Sequence, residues 1–437
     1  MRTSPDVTPA TAREPLLRVI GTAGLAAGII NITIGGGIFR LPANVAASLG
    51  AAAPLAYVVC AVAMALIVWC IADAGRRVSL TGGPYAYVGA SLGSYAGFVS
   101  GVLLWMLGTF ATAAVSTVLA TSVSALAPGL GRTGETAVLI AAFAFWSLVN
   151  LRGVMLGVRL NTIATIAKLV PLLLVAIGGA FFIDADNLRI GAIPAAADIA
   201  RTSLLLIFAF AGIEVALVPS GEVKDTGRTV PRAIALAMVA ITLLYIALQM
   251  VAQGVLGNGL AEARTTPLAD TAGAALGSWA RSLLLAGATI SMFGYLGGMT
   301  LSMPRMLFAL ARDGFLPRAL AVVHPRHHAP QAAIVAQSTI ALALAVSGTF
   351  EQLAILANVS ALVLYLGCAL AAWRLRSQSA ETSSPLASAV PWVTCGVIAW
   401  LLTGLTRNEW LAFATGIVAA SLLYLATRRH RAAQARV

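Results

Sequence analysis

The sequence predicts an all-α integral membrane protein of twelve transmembrane helices. Three observations carry that reading. Of 437 residues, 59% are hydrophobic and only 10% charged, where a soluble domain carries roughly 45–50% and about 25%. The apolar residues gather in runs of about 20, the length that crosses a hydrocarbon core. No ~10-residue alternation of apolar and polar residues appears, so helices are expected and a barrel is not. The same composition excludes a cytosolic enzyme, a disordered chain and a disulfide-rich secreted domain.

In chain order the predicted spans are about 18–40, 52–74, 88–124, 135–151, 159–183, 200–219, 232–256, 280–311, 331–348, 352–376, 389–405 and 410–427. The first fifteen residues are polar, hold Pro5, Pro9 and Pro15 and lack a cleavage-type region, so the first run is expected to stay as a span. The third and eighth are long enough to tilt. Loops near 184–199 and 257–279 read as polar and outer, and 312–330 as basic and inner. Cys60, Cys70, Cys368 and Cys395 lie singly inside apolar runs, as small buried hydrophobes rather than a disulfide frame or metal site.

The net charge of +12 is not a nucleic-acid signature, because the basic residues sit in short loops between apolar runs. Of the 28 Lys and Arg, twenty fall on the side shared with the N-terminus, seven on the other, and Lys168 lies inside the fifth span. That bias predicts both termini in the cytoplasm. The predicted organisation is a tail over 1–17, a five-helix unit over 18–183, a second over 200–376, two further helices over 389–427 and a tail over 428–437.

Two spans carry interruptions. The first contains Ile34-Gly35-Gly36-Gly37-Ile38-Phe39, and glycines in mid-helix cost ~1 kcal/mol each relative to alanine. Packing through small residues is the plainer explanation of a lone glycine pair; a triplet predicts unwinding against a cavity. The sixth span reads Phe208-Ala209-Phe210-Ala211-Gly212-Ile213-Glu214 and then Pro219. These are the same position in two five-span halves, and paired interruptions of this kind point to a midplane binding site. An unwound helix exposes N–H groups that attract a carboxylate and C=O groups that attract an ammonium. Two breaks side by side suit a zwitterion such as an α-amino acid, held largely by main chain.

Two charges within spans lie beyond the reach of the loops. Lys168 sits about 13 Å along the fifth span from Arg159, deep for a snorkelling side chain. Held away from water, such a lysine can release and regain a proton during a cycle, and its ammonium can fill the place of a bound sodium ion. Glu214 is either a protonatable gate or an acceptor that holds the second break open. Arg40, just after the glycine triplet, either attracts carboxylates in an outer vestibule or pairs with an acid. Phe208 and Phe210 are candidates to gate the pocket as well as to pack. Trp105 and Met299 are candidate pocket walls. His324, His327 and His328 cluster in the basic loop without an acid or cysteine beside them, which argues against a metal site.

Several blocks together resemble the amino acid–polyamine–organocation superfamily of transporters. They are Gly35-Gly36-Gly37-Ile38-Phe39 with Pro42, Thr81-Gly82-Gly83-Pro84-Tyr85, the Phe208–Glu214 block followed by Gly221-Glu222-Val223-Lys224-Asp225 and Arg228-Thr229-Val230-Pro231-Arg232, and Pro304-Arg305 with Ala311-Arg312-Asp313-Gly314, Leu316-Pro317 and His324-Pro325-Arg326. The resemblance covers about residues 17–376. It implies a leucine-transporter-type fold, with two inverted five-helix repeats and two peripheral helices, working by alternating access. It implies a substrate carboxylate on Gly35, Gly36 and Gly37 near Ile34, and an amino group on carbonyls around Phe208, Ala209, Phe210, Ala211 and Gly212. Phe208 matches an aromatic lid. Lys168 matches a lysine of proton-coupled members, which implies carbonyls of Asn31 and Ile34 as its partners, with Thr300 as the eighth-span partner.

No acidic residue in the third span is available to read a basic side chain, so small or apolar neutral amino acids are favoured. The expected partners are an amino acid and the lipid bilayer, with no nucleic acid; the coupling ion is a proton, with no cofactor or metal. A proton-coupled symporter in the cytoplasmic membrane is favoured, because a pure exchanger has less need of a titratable group such as Lys168; a sodium-independent exchanger on the same scaffold is the alternative. A sensor or channel fits less well, for want of a signalling domain or a filter motif. A membrane enzyme lacks HExxH, GxSxG or paired intramembrane acids.

Overall fold

The computed structural model describes residues 21–77, 84–127, 129–151, 157–191, 193–212, 226–325, 329–378 and 385–427. Among these residues the regular structure is helical throughout. The helices are α1 Thr22–Thr33, α2 Gly36–Leu49, α3 Pro54–Arg77, α4 Pro84–Leu92, α5 Ser94–Leu126, α6 Gly131–Leu151, α7 Gly157–Gly178, α8 Ala196–Phe210, α9 Thr226–Leu256, α10 Pro267–Leu276, α11 Ser278–Arg312, α12 Gln331–Ser347, α13 Phe350–Ser377, α14 Pro385–Leu402 and α15 Arg407–Ala426. Pro54, Pro84, Pro267 and Pro385 each open a helix, the position where a missing N–H costs nothing. Thr349 with Gln352, and Thr406 with Glu409, form reciprocal capping boxes that start α13 and α15.

A helix lies on each of the twelve predicted segments. Seven described helices are long and apolar enough to cross a membrane, and α1 with α2 makes an eighth if the pair, bent by 61°, is one span. The centre of the bundle is α5 and α13, each 72% buried along its most apolar stretch, whereas α15 is 11% buried and peripheral. Leu236, Val239 and Leu243 line an exposed stripe of α9, and Leu411, Val418, Leu422 and Leu425 one of α15, as lipid-facing surfaces do. Exposed Trp279 and Trp410 mark one end of the bundle; Trp373 and Trp392, edge to face at 5.3 Å, mark the other. The first of these ends is the one the charge bias assigns to the outside, and it is called the outer face below.

Three predicted boundaries are corrected. The first span does not stop at 40, because α2 runs to Leu49. The third span is not one helix from 88, because Gly93 adopts φ +97° and ends α4 before α5 begins. The predicted polar loop 257–279 contains a short 3-10 turn and α10, and Gly277 at φ +94° then starts α11. The apolar pattern runs through Gly93, so there a positive-φ backbone divides helices that composition joins; Gly277 divides α10 from α11 within the predicted polar loop. The same short helix, positive-φ glycine and long helix thus occur twice, as α4–α5 and α10–α11.

Candidate functional site

The first break is narrow. Helix α1 ends at Thr33, Ile34 takes ψ +85°, and Gly35 is extended before α2 starts at Gly36. No side chain caps α2, so its first N–H groups are free of helical partners. The glycines differ in their reasons. A Cβ on Gly37 would stand 3.0 Å from the Cα of Ala209, and one on Gly36 would stand 3.0 Å from the Met292 sulfur and 3.1 Å from Val115. A Cβ on Gly35 would meet nothing closer than the Thr33 carbonyl at 3.8 Å.

The second break follows α8. Ala211 is extended, and Gly212 has φ +112°, a conformation that glycine supplies without strain. Glu214 lies outside the described residues, as do Thr81-Gly82-Gly83, Gly221–Asp225, His327 and His328. The breaks meet where Gly37 faces Ala209, and Tyr245 of α9 joins them: its hydroxyl donates to the Ala209 carbonyl at 2.9 Å, with the Thr33 carbonyl at 3.3 Å. A carbonyl has two lone pairs, so Ala209 keeps one acceptor direction for another donor.

Lys168 is 7% exposed on α7, and its ammonium donates to the carbonyl of Asn31 in the last turn of α1. Thus the fifth predicted span is tied to the first break. Asn31 is the sole described hydrogen-bond partner of the ammonium; the Ile34 carbonyl does not receive it. Thr300 is a correction. Its hydroxyl receives Asn150 at 3.1 Å and donates to the Leu296 carbonyl. It lies 13 residues beyond Gly287, the α11 position packed on Ala167, which is about 20 Å along the helix.

Phe208 and Phe210 point to different environments. Phe208 is 9% exposed and meets Phe350 edge-on at 5.5 Å. Phe210 is fully buried against Tyr245 at 5.3 Å, so its ring belongs to the core behind the break. Above Phe350 sits Arg40, 5.8 Å from the ring centroid, with Glu351 at 3.8 Å and the Thr265 carbonyl at 3.3 Å. Asn44 donates to the same Glu351 carboxylate. Of the two readings of Arg40, pairing with an acid is the one seen, and Arg40, Phe350 and Phe208 form a tier of contacts beside the breaks.

Sequence reasoning missed several residues. Tyr245, Val115 and Met292 face the breaks, but an aromatic or aliphatic residue in an apolar run carries no mark of direction. Met292, two helical turns from the candidate Met299, is the methionine at Gly36. Trp105 instead donates to Gln337 at 2.6 Å. Asp73, near the inner end of α3, is 4% exposed, between Arg376 at 3.0 Å and Arg77 at 3.5 Å, and Arg376 lies 4.9 Å from the Trp69 ring. Its charge looked like a loop-end residue because its partner Arg376 is far off in the chain.

A family profile described as amino acid permease matches residues 20–426. A methylthioribose transporter of Bacillus subtilis is 26% identical over 95% of this chain and 95% of its own length. The branched-chain amino acid permease BcaP of the same organism is 25% identical over 86% and 85%. An arginine/agmatine antiporter of Chlamydia pneumoniae is 25% identical over 93% and 87%.

Proposed function

The chain belongs to the amino acid permease family of multi-span membrane transporters, and we propose that it carries a neutral amino acid across the cytoplasmic membrane by alternating access, in symport with protons. The observation that carries the proposal is the junction of the two helix breaks, with the Lys168 ammonium on the carbonyl end of one of them. The substrate carboxylate binds the free N–H groups of Gly36 and Gly37; its ammonium binds carbonyls at the end of α8, where Tyr245 leaves Ala209 one lone pair. Val115 and Met292, opposite Gly36, and Phe208 form an apolar surround for the side chain, while Arg40 is engaged with Glu351 above it. An apolar surround disfavours a charged side chain.

In this reading Lys168 carries the coupled proton: the ammonium holds α1 to α7 through Asn31, and its deprotonation releases that bond. The chain spans the membrane twelve times with both termini inside, as two inverted five-helix halves and two outer helices. The repeated glycine-divided pairs α4–α5 and α10–α11 support the two halves. A second reading is exchange, supported by the relative named as an antiporter.

Proteoliposomes separate the two. Labelled small neutral, branched, acidic and basic amino acids, and methylthioribose, are offered to empty and amino-acid-loaded vesicles with and without an inward proton gradient. Symport predicts accumulation in empty vesicles that needs the gradient and is lost in Lys168→Ala. Uptake only into loaded vesicles, indifferent to pH and to the substitution, establishes exchange instead.

A further inference from the structure

The outer end of α8 is held by a part of the molecule that the substrate site does not use. Arg201, in the second turn of α8, donates to both oxygens of Glu409, at 2.5 and 2.7 Å, and to the Gly404 carbonyl at 2.9 Å. The paired side chains are 38% and 19% exposed. Glu409 is itself fixed, because it also accepts the Thr406 N–H at 2.7 Å in the capping box of α15. Below the ion pair the two backbones touch. A Cβ on Gly404 would stand 2.9 Å from the Cα of Arg201 and 3.0 Å from its nitrogen. The loop between α14 and α15 is therefore seated on α8 by a two-pronged charge pair and by a contact that only glycine permits.

Helix α8 runs unbroken from Arg201 to Phe208, about 10 Å. A helix transmits displacement along its axis, so whatever holds Arg201 also holds Phe208 against Phe350 and Ala209 against Gly37. We propose that the Arg201–Glu409 pair, seated on Gly404, is a latch by which the two peripheral helices hold α8 in the outer-closed state, so that both residues position the Phe208 lid from a distance. Opening the outer side requires α8 to move away from Phe350 and Gly36–Gly37. The α14–α15 loop stays with the periphery, so the latch opposes that movement. Releasing it raises the outer-open population by the differential stability it supplies. The inference rests on the alternating-access reading for its purpose, and its test does not require transport.

The test uses Ser122→Cys as a reporter in the full chain in proteoliposomes. Val115, Leu119 and Ser122 share one face of α5, all are buried, and Ser122 lies about two turns outward of the Gly36 contact. A membrane-impermeant maleimide added outside labels this cysteine as the outer side opens, and the chain without the reporter gives the background. Glu409→Gln is expected to label roughly fivefold faster, the shift that loss of a partly exposed bidentate pair supports. Gly404→Ala, which lifts the loop without changing charge, is expected to do the same. The swapped pair Arg201→Glu with Glu409→Arg is expected to return the rate towards the parent. If Glu409→Gln fails to fold, Arg201→Lys keeps the charge, loses the bidentate geometry and is expected to label about twofold faster. Unchanged labelling in Gly404→Ala and in the folded charge variants overturns the latch, whatever uptake does. Faster labelling in variants and parent that take up no amino acid keeps the latch and sinks the transport reading.

Discussion

Two of the described regions that bury charge do it in opposite ways. At the helix breaks, Lys168 gives its ammonium to a neutral carbonyl, that of Asn31, and Tyr245 gives its hydroxyl to the carbonyl of Ala209. At the inner end of α3, Asp73 stands between the guanidinium groups of Arg376 and Arg77, with Arg376 also against Trp69. A donor on a carbonyl can leave without stranding an opposite charge. A carboxylate between two guanidinium groups cannot, because its removal takes a buried charge away from two of opposite sign. The first arrangement suits a part that must change state; the second suits a fixed joint between α3 and α13.

The largest expected effect is at the fixed joint. Asp73→Asn takes the carboxylate from beside Arg376, whose side chain is 10% exposed, a loss of about 3–5 kcal/mol for a buried pair broken on one side. The expected outcome is a lower yield of folded protein and a clear fall in melting temperature in detergent. A variant that melts with the parent would show that Asp73 is not structural and would erase the distinction.

Lys168→Met tests the other side. It removes a buried charge and its desolvation cost, and leaves the Asn31 carbonyl without this donor, a term of about 1–3 kcal/mol in the opposite direction. The two nearly cancel, so the melting temperature is expected to stay within a few degrees of the parent while gradient-driven accumulation disappears. A variant as unstable as Asp73→Asn would make the lysine a structural tie. Retained accumulation in a stable variant would remove it from coupling.

How much of this was legible in the sequence depends on whether a residue violates its surroundings. Lys168 in an apolar run and three glycines in a span are violations, and the structure brings both to the first break. The second break was legible through Gly212 and the residues after it. Tyr245 and Met292 break no local rule, so only the packing of α9 and α11 reveals them. Asp73 hid because a charge near a helix end looks solvated. Thr300 was misplaced because the offset between α7 and α11 is set by tertiary packing and leaves no trace in either segment. Phe208 and Phe210 look equivalent in sequence, yet the end of α8 turns one towards Phe350 and the other into the core. Gly93 passed unread because a backbone angle has no hydropathy.

The glycines of the first break sharpen the comparison on a smaller scale. Gly37→Ala sets a methyl 3.0 Å from backbone of α8, and backbone cannot swing aside as a flexible side chain does. Overpacking of this kind costs about 1–3 kcal/mol, which predicts roughly a tenfold weaker apparent affinity in uptake. Gly35→Ala meets nothing within contact except a carbonyl at 3.8 Å, so sterics alone predict near-parent affinity. If Gly35→Ala is the more damaging of the two, the carboxylate sits at Gly35 and the close approach at Gly37 is only packing.

The smallest expected effect is at Tyr245. Tyr245→Phe keeps the ring contacts with Phe210 at 5.3 Å and Tyr57 at 6.3 Å and removes only the hydroxyl. The bond lost is neutral to neutral, worth about 1 kcal/mol, or roughly fivefold in an equilibrium. The Ala209 carbonyl loses this donor while the Thr33 carbonyl keeps the Gly35 N–H at 2.8 Å, and both lie where the two breaks meet. The expected result is a melting temperature close to the parent and a roughly fivefold change in the apparent affinity for substrate, because the bond joins the breaks that substrate must also join. A fall in melting temperature comparable to that of Asp73→Asn, with affinity unchanged, would place Tyr245 with the fixed joint. The division between fixed and movable buried groups would then follow depth in the bundle, and not the charge of the partner.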